Sequence, residues 1–130
     1  MAAMNTATRL LLVEDEPTAV AALRKFFSAA GVDVDCASEL EEAEALIVTT
    51  DYDVVIADLR LSWNYATEGL EILRFVRCHS RHTHVIILSA HASEDIRESA
   101  DALGADAFIA KPAPLPQIAE TVSRILGRSQ

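Results

Sequence analysis

Three continuous apolar runs constrain the fold of this chain more than any other feature. Residues 10–13 read Leu-Leu-Leu-Val, residues 54–57 Val-Val-Ile-Ala and residues 85–88 Val-Ile-Ile-Leu. An extended backbone sends successive side chains to opposite faces, so each run is apolar on both. Strands of that kind need cover above and below, which is the condition of a parallel sheet lying between helices. Val32, Val34 and Cys36 instead alternate with Asp33 and Asp35, the pattern of an edge strand with one wet face. Residues 107–110, Ala-Phe-Ile-Ala, supply a short fifth strand.

Between these runs the apolar period changes from two to about three and a half. Val20, Leu23, Phe27 and Ala30 recur at helical spacing, as do Leu40, Ala43 and Ile47. Leu70, Leu73 and Val76 give a third stretch, Ile96, Ala100 and Leu103 a fourth, and Leu115, Ile118, Val122 and Ile125 a fifth. Gly31, Gly104 and Gly127 follow helical stretches as C-terminal caps would, and Ser38 with Glu41 matches a capping box. The order is βα repeated five times in 130 residues, enough for one domain and too few for two. Strict alternation implies right-handed crossovers and an α/β, doubly wound parallel sheet. An edge strand second in sequence fits the flavodoxin-like (βα)5 strand order 2-1-3-4-5.

In such a sheet every strand ends on the same edge, where ligands bind. Strand 1 is followed by Glu14-Asp15-Glu16-Pro17, strand 3 by Asp58, strand 4 by Ser89-Ala90 and strand 5 by Lys111-Pro112. Taken singly these are ordinary residues: an acid before a proline can start a helix, and Lys-Pro can be a loop. Their arrival together at one edge is what points to chemistry. Clustered carboxylates raise one another's pKa unless a cation lies among them, and hard oxygen donors at a wet edge suit Mg²⁺. Asp58, after the central strand, is the natural nucleophile. Ser89 offers a hydroxyl donor and Lys111 a mobile positive charge to a phosphoryl group, so the set fits formation of an aspartyl phosphate.

The formal charge of −9, from 20 acidic and 11 basic residues, argues against direct nucleic-acid binding by this domain. No run of about 18 apolar residues could span a bilayer. The MAAMNTAT start lacks the basic-then-apolar order of a signal peptide and reads as a short disordered lead-in. Cys36 and Cys78, each in an apolar segment, read as buried free thiols of a cytosolic protein. His79, His82 and His84 read as a solvated turn rather than a metal site.

The stretches LLVEDEP ending at Pro17, YDVVIADLRL ending at Leu61, HVIILSA ending at Ala90 and GADAFIAKP ending at Pro112 together resemble the receiver domains of bacterial response regulators. The resemblance covers residues 9–127, leaving residues 1–8 as lead-in and 128–130 as tail. It implies phosphorylation at Asp58, with Mg²⁺ held by Asp15 directly, by Glu14 through water, by Asp58 and by the backbone carbonyl of Arg60. Ser89 would bond the phosphoryl group, Lys111 would pair with it, and Phe108 would be the aromatic switch residue. The Lys111-Pro112 bond would be cis, as is usual in the family. The implied donor is a sensor histidine kinase or a histidine phosphotransfer protein. The implied output is a downstream protein target or separate effector domain, or a homodimer through the face of helix 4, strand 5 and helix 5. The setting implied is cytoplasmic, and the role that of a signalling switch rather than an enzyme.

The sequence departs from the family pattern in three places. Glu14 stands where aspartate is common. Ser62 replaces a usual proline, and the glycine expected eight residues after Asp58 comes at Gly69, lengthening the loop that carries Trp63 and Tyr65. Arg60 and His91 occupy positions that in the family tune the lifetime of the phosphoryl group, and imply slow self-dephosphorylation. Two other readings fail on the residues. An aspartyl-nucleophile phosphohydrolase needs an acid two residues after Asp58, where Arg60 stands. A flavodoxin needs a phosphate cradle after strand 1, where three acids would repel the phosphate. A receiver-fold interaction module that works without phosphorylation remains the alternative.

Overall fold

Five strands and five helices alternate along the chain, in a computed structural model that describes residues 8–58, 67–90 and 94–127. The strands are β1 (Arg9–Val13), β2 (Asp33–Ala37), β3 (Val54–Asp58), β4 (His84–Ser89) and β5 (Ala107–Ala110). The helices are α1 (Pro17–Ala29), α2 (Leu40–Thr49), α3 (Thr67–His79), α4 (Glu94–Ala102) and α5 (Leu115–Gly127). All strand pairs are parallel, in the order β2-β1-β3-β4-β5. The flavodoxin-like topology expected from the alternation is therefore the one adopted, with β3 in the middle of the sheet.

The apolar runs explain how the layers form. Leu11, Val13, Val55, Ala57, Val85 and Ile87 project to one side, where Ala43 of α2, Ile72, Leu73 and Val76 of α3 and Ala100 of α4 cover them. The residues between them, Leu10, Leu12, Val54, Ile56, Ile86 and Leu88, project to the other side. There Leu23 and Phe27 of α1 and Ile118, Val122 and Ile125 of α5 pack against them. Each Val, Leu, Ile or Phe among these contributes about 1.5–3 kcal/mol on full burial, so both helical layers are held to the sheet.

Local punctuation departs from expectation in three places. The helix after β2 starts one residue late, with Glu39 as N-cap, so Glu42 rather than Glu41 turns back: its Oε1 accepts from Ser38 N at 2.9 Å. Gly31 and Gly104 adopt positive φ past the ends of α1 and α4, whereas Gly127 lies within α5 as its last residue. Both cysteines are free, but Cys78 is exposed and Cys36 only half-buried. The reason for Cys78 is angular: α3 buries Ile72, Leu73 and Val76, and a residue two beyond Val76 lies about 200° round the helix.

Candidate functional site

The sheet register delivers three strand ends to one place. Asp58 pairs with Leu88 in the β3–β4 ladder, so Ser89 stands one residue beyond its level. Backbone bonds continue past the strands: Glu14 N donates to Ala37 O at 3.0 Å and Lys111 N donates to Ser89 O at 2.7 Å. These bonds fix where the first residue after β1 and the first after β5 leave the sheet, and hence where their side chains start.

The side chains then converge. Lys111 Nζ donates to Asp58 Oδ2 at 2.8 Å and to Glu14 Oε1 at 3.2 Å, bridging the two carboxylates. Glu14, Asp58 and Ser89 are all buried, whereas Asp15 is exposed. Glu16 turns away from the site to cap α1, its Oε1 accepting from Ala19 N at 2.8 Å with Pro17 as the first helical residue. Its own N–H returns to Glu14 Oε2 at 3.2 Å, holding the Glu14 carboxylate over the strand end. The Lys111-Pro112 bond is cis, matching the expectation from the resemblance.

The electrostatics show an acid pair short of positive charge. Burial first, and the Asp58 charge second, push Glu14 up from 4.5 to about 7, against the opposing pull of Lys111. For Lys111, burial works toward a lower value, but its hydrogen bonds and charge contacts with Asp58 and Glu14 win and raise it. One ammonium is thus held firmly charged, yet does not fully offset two buried carboxylates. A divalent cation with hard oxygen preference fits that deficit. Mg²⁺ usually takes one or two protein carboxylates and keeps several waters, and Asp15 beside Glu14 is exposed to solvent. Among the described residues no three acids, histidines or cysteines converge as a ready-made metal cluster.

The remaining expected site residues divide. Phe108 lies on β5 level with Ile87 and is partly buried, packed against the α2–α3–α4 side of the sheet. Arg60, His91, Trp63 and Tyr65 lie outside the described residues. Thr67 is the first residue of α3. The histidines do not act together: His79 contacts the Phe75 carbonyl, His82 faces Asp51 at 3.5 Å and His84 faces Asp106 at 3.4 Å.

Sequence reasoning missed two arginines. Arg77, on α3, donates to Thr83 O at 2.6 Å and to Gly104 O at 2.9 Å, and pairs with Asp106 at 2.9 Å. Arg97, on α4, lies with its guanidinium carbon 4.7 Å from the centre of the Phe108 ring. Both contacts join residues from different elements through the distance at which those elements pack, which no local sequence pattern encodes. Asp106 lay within a recognised motif, but only the fold gives it Arg77 as a partner.

Comparison with known proteins adds the family context. The response regulator receiver domain family matches residues 10–123. The chain is 35% identical over 122 residues to the transcriptional regulatory protein PmrA of Pectobacterium parmentieri, covering 94% of this chain and 54% of PmrA. It therefore spans about half the length of that relative. The fold matches a CheY-like receiver domain protein from Methanospirillum hungatei with a TM-score of 0.88 at 22% identity, covering 95% and 96% of the two chains. The non-phosphorylated HemR receiver domain of Leptospira biflexa matches at a TM-score of 0.83 and 28% identity, covering 92% and 94%.

Proposed function

Because this chain belongs to the response regulator receiver domain family, as a receiver domain of two-component signalling, we propose that Asp58 accepts a phosphoryl group and thereby switches a protein-interaction face. The observation that carries the reading is the Lys111 bridge. An ammonium held 2.8 Å from Asp58 Oδ2 and 3.2 Å from Glu14 Oε1 stands where the oxygens of an incoming phosphoryl group need positive charge.

The reaction asks little covalent chemistry of the protein. An Asp58 oxygen attacks phosphorus as the bond from phosphorus to the donor's imidazole nitrogen breaks, and catalysis is positioning and charge stabilisation. Glu14, Asp15, Asp58 and the backbone carbonyl of Arg60 would hold Mg²⁺, which neutralises charge on the transferring group. Lys111 exchanges one carboxylate oxygen for a phosphoryl oxygen, and the Ser89 hydroxyl donates to another. Withdrawal of Lys111 and Ser89 toward the phosphoryl group frees space at the ends of β4 and β5, and Phe108 responds to it. The result is a population shift in which the covalent group acts as the ligand.

The donor in this reading is a sensor histidine kinase or histidine phosphotransfer protein. The output is a downstream protein or a separate effector domain, reached through the face of α4, β5 and α5, in the cytoplasm. Among the described residues no helix is long and apolar enough to cross a membrane. The chain acts as a switch and turns over no small substrate. The test is a titration of the protein with beryllofluoride in the presence of Mg²⁺, followed by amide NMR shifts. Saturable shifts at the ends of β3, β4 and β5 are expected, absent in Asp58→Asn. A wild type that does not respond, or an Asn variant that responds equally, would favour the phosphorylation-independent interaction module.

A further inference from the structure

Helix α4 is held to the sheet by less apolar contact than its neighbours. It buries only Ala100 fully, whereas α5 buries Ile118, Thr121, Val122 and Ile125. Its C-terminal end is fixed from outside, since Arg77 donates from Nε and Nη2 to the Gly104 carbonyl at 3.2 and 2.9 Å. Further along the helix toward its start, Ile96 packs against the core and the Arg97 guanidinium lies over the Phe108 ring of β5 at 4.7 Å. That distance lies within the range of an attractive cation–π contact.

Arg97 also has a second set of partners at hand. Glu94 precedes it by three residues and Asp101 follows it by four, the spacings at which helix side chains meet. Both acids are exposed and, with Arg97 and Phe108, line a groove of about 340 Å³ between α4 and β5. Among the described residues Arg97 is in no ion pair, so the ring holds the guanidinium and the acids do not. A guanidinium that leaves the ring meets those acids on its own helix, but an exposed helix pair recovers only part of the lost contact, so the ring still favours the stacked state.

We propose that Arg97 is a latch: stacked on Phe108, it holds α4 to β5 in the resting chain and must give up the ring before the chain adopts its phosphorylated form. The proposal rests on the reading of Asp58 as phosphoryl acceptor and Phe108 as the responding ring. The latch makes Arg97 a positioning residue, which sets how much of the resting population is already switched. Gly104 and Arg77 then mark the point about which α4 turns when the latch opens.

The experiment titrates the full chain, labelled with 4-fluorophenylalanine, with beryllofluoride in Mg²⁺ and follows the Phe108 fluorine resonance. Loss of a contact of this class shifts a two-state equilibrium by about 2- to 5-fold. Arg97→Met should therefore lower the half-saturating beryllofluoride concentration by that factor, and Arg97→Lys, which keeps a cation, should restore most of it. In a Phe108→Leu background, read by amide shifts, Arg97→Met should have no further effect. An unchanged midpoint in Arg97→Met, or an equal effect with and without the ring, overturns the latch alone. A wild type that ignores beryllofluoride overturns the acceptor reading and the latch with it.

Discussion

At the scale of single residues, Glu14 carries the sharpest consequence of the site. An aspartate at this position would be shorter; the glutamate reaches Lys111 Nζ at 3.2 Å while lying buried beside Asp58. Its raised value means that between pH 4.5 and about 7 the folded chain holds a proton that the unfolded chain has released. Stability attributable to this group therefore falls as pH rises through that window and is level above it. In chelator-treated protein, Glu14→Gln should gain on wild type through the same window, reaching on the order of 2 kcal/mol by urea unfolding. Mg²⁺ should shrink that gain, because a cation stabilises the ionised glutamate and not the amide. A Gln variant whose advantage is flat from pH 4.5 to 8 would show that Glu14 is ordinary. The identities of Glu14, Asp58, Ser89 and Lys111 were legible because each directly follows or ends an apolar run. The Glu16 cap and the Lys111 bridge were not, because they depend on which way side chains turn after leaving the sheet.

At the scale of elements, α3, α4 and β5 are joined by one side chain. Arg77 bonds the carbonyls of Thr83 and Gly104 and pairs with Asp106, whose Oδ2 also accepts from Val85 N at 2.8 Å. Gly104 serves this junction twice. Its φ of +95 is reached by glycine without strain, and a Cβ there would come within 3.1 Å of Arg77 Nε. Gly104→Ala should cost about 1–2 kcal/mol in urea unfolding at unchanged m-value, through the backbone penalty and the displaced guanidinium. A cost within error of zero would mean that the turn relaxes freely. The strands and helices were read correctly because periodicity is a local property. The capping at Ser38 was misplaced by one residue, since the start of α2 is set by where β2 leaves the sheet rather than by the best capping residue. Cys78 was misjudged because apolar neighbours in sequence do not specify which side of a helix is covered.

At the scale of the whole molecule, one property of the fold makes the site. A parallel sheet brings all its carboxyl ends to one edge, so residues 14, 58, 89 and 111 can be far apart in sequence and still meet. The five-strand order was legible from two facts: one alternating strand at an edge and continuous apolar runs in the middle. Less legible was how the edge communicates with the rest of the surface. Lys111 begins where β5 ends, Phe108 lies three residues earlier on the same strand, and Arg97 joins that ring to α4. A charge added at Asp58 is thus connected to an exposed helix by one short strand.

The central claim is that Asp58 accepts a phosphoryl group, and intact-protein mass spectrometry after incubation with a small acyl phosphate and Mg²⁺ tests it most directly. The account expects a mass gain of one phosphoryl group per chain, absent after chelation of Mg²⁺ and absent in Asp58→Asn. No gain in the folded wild type, or the same gain in the Asn variant, would contradict it.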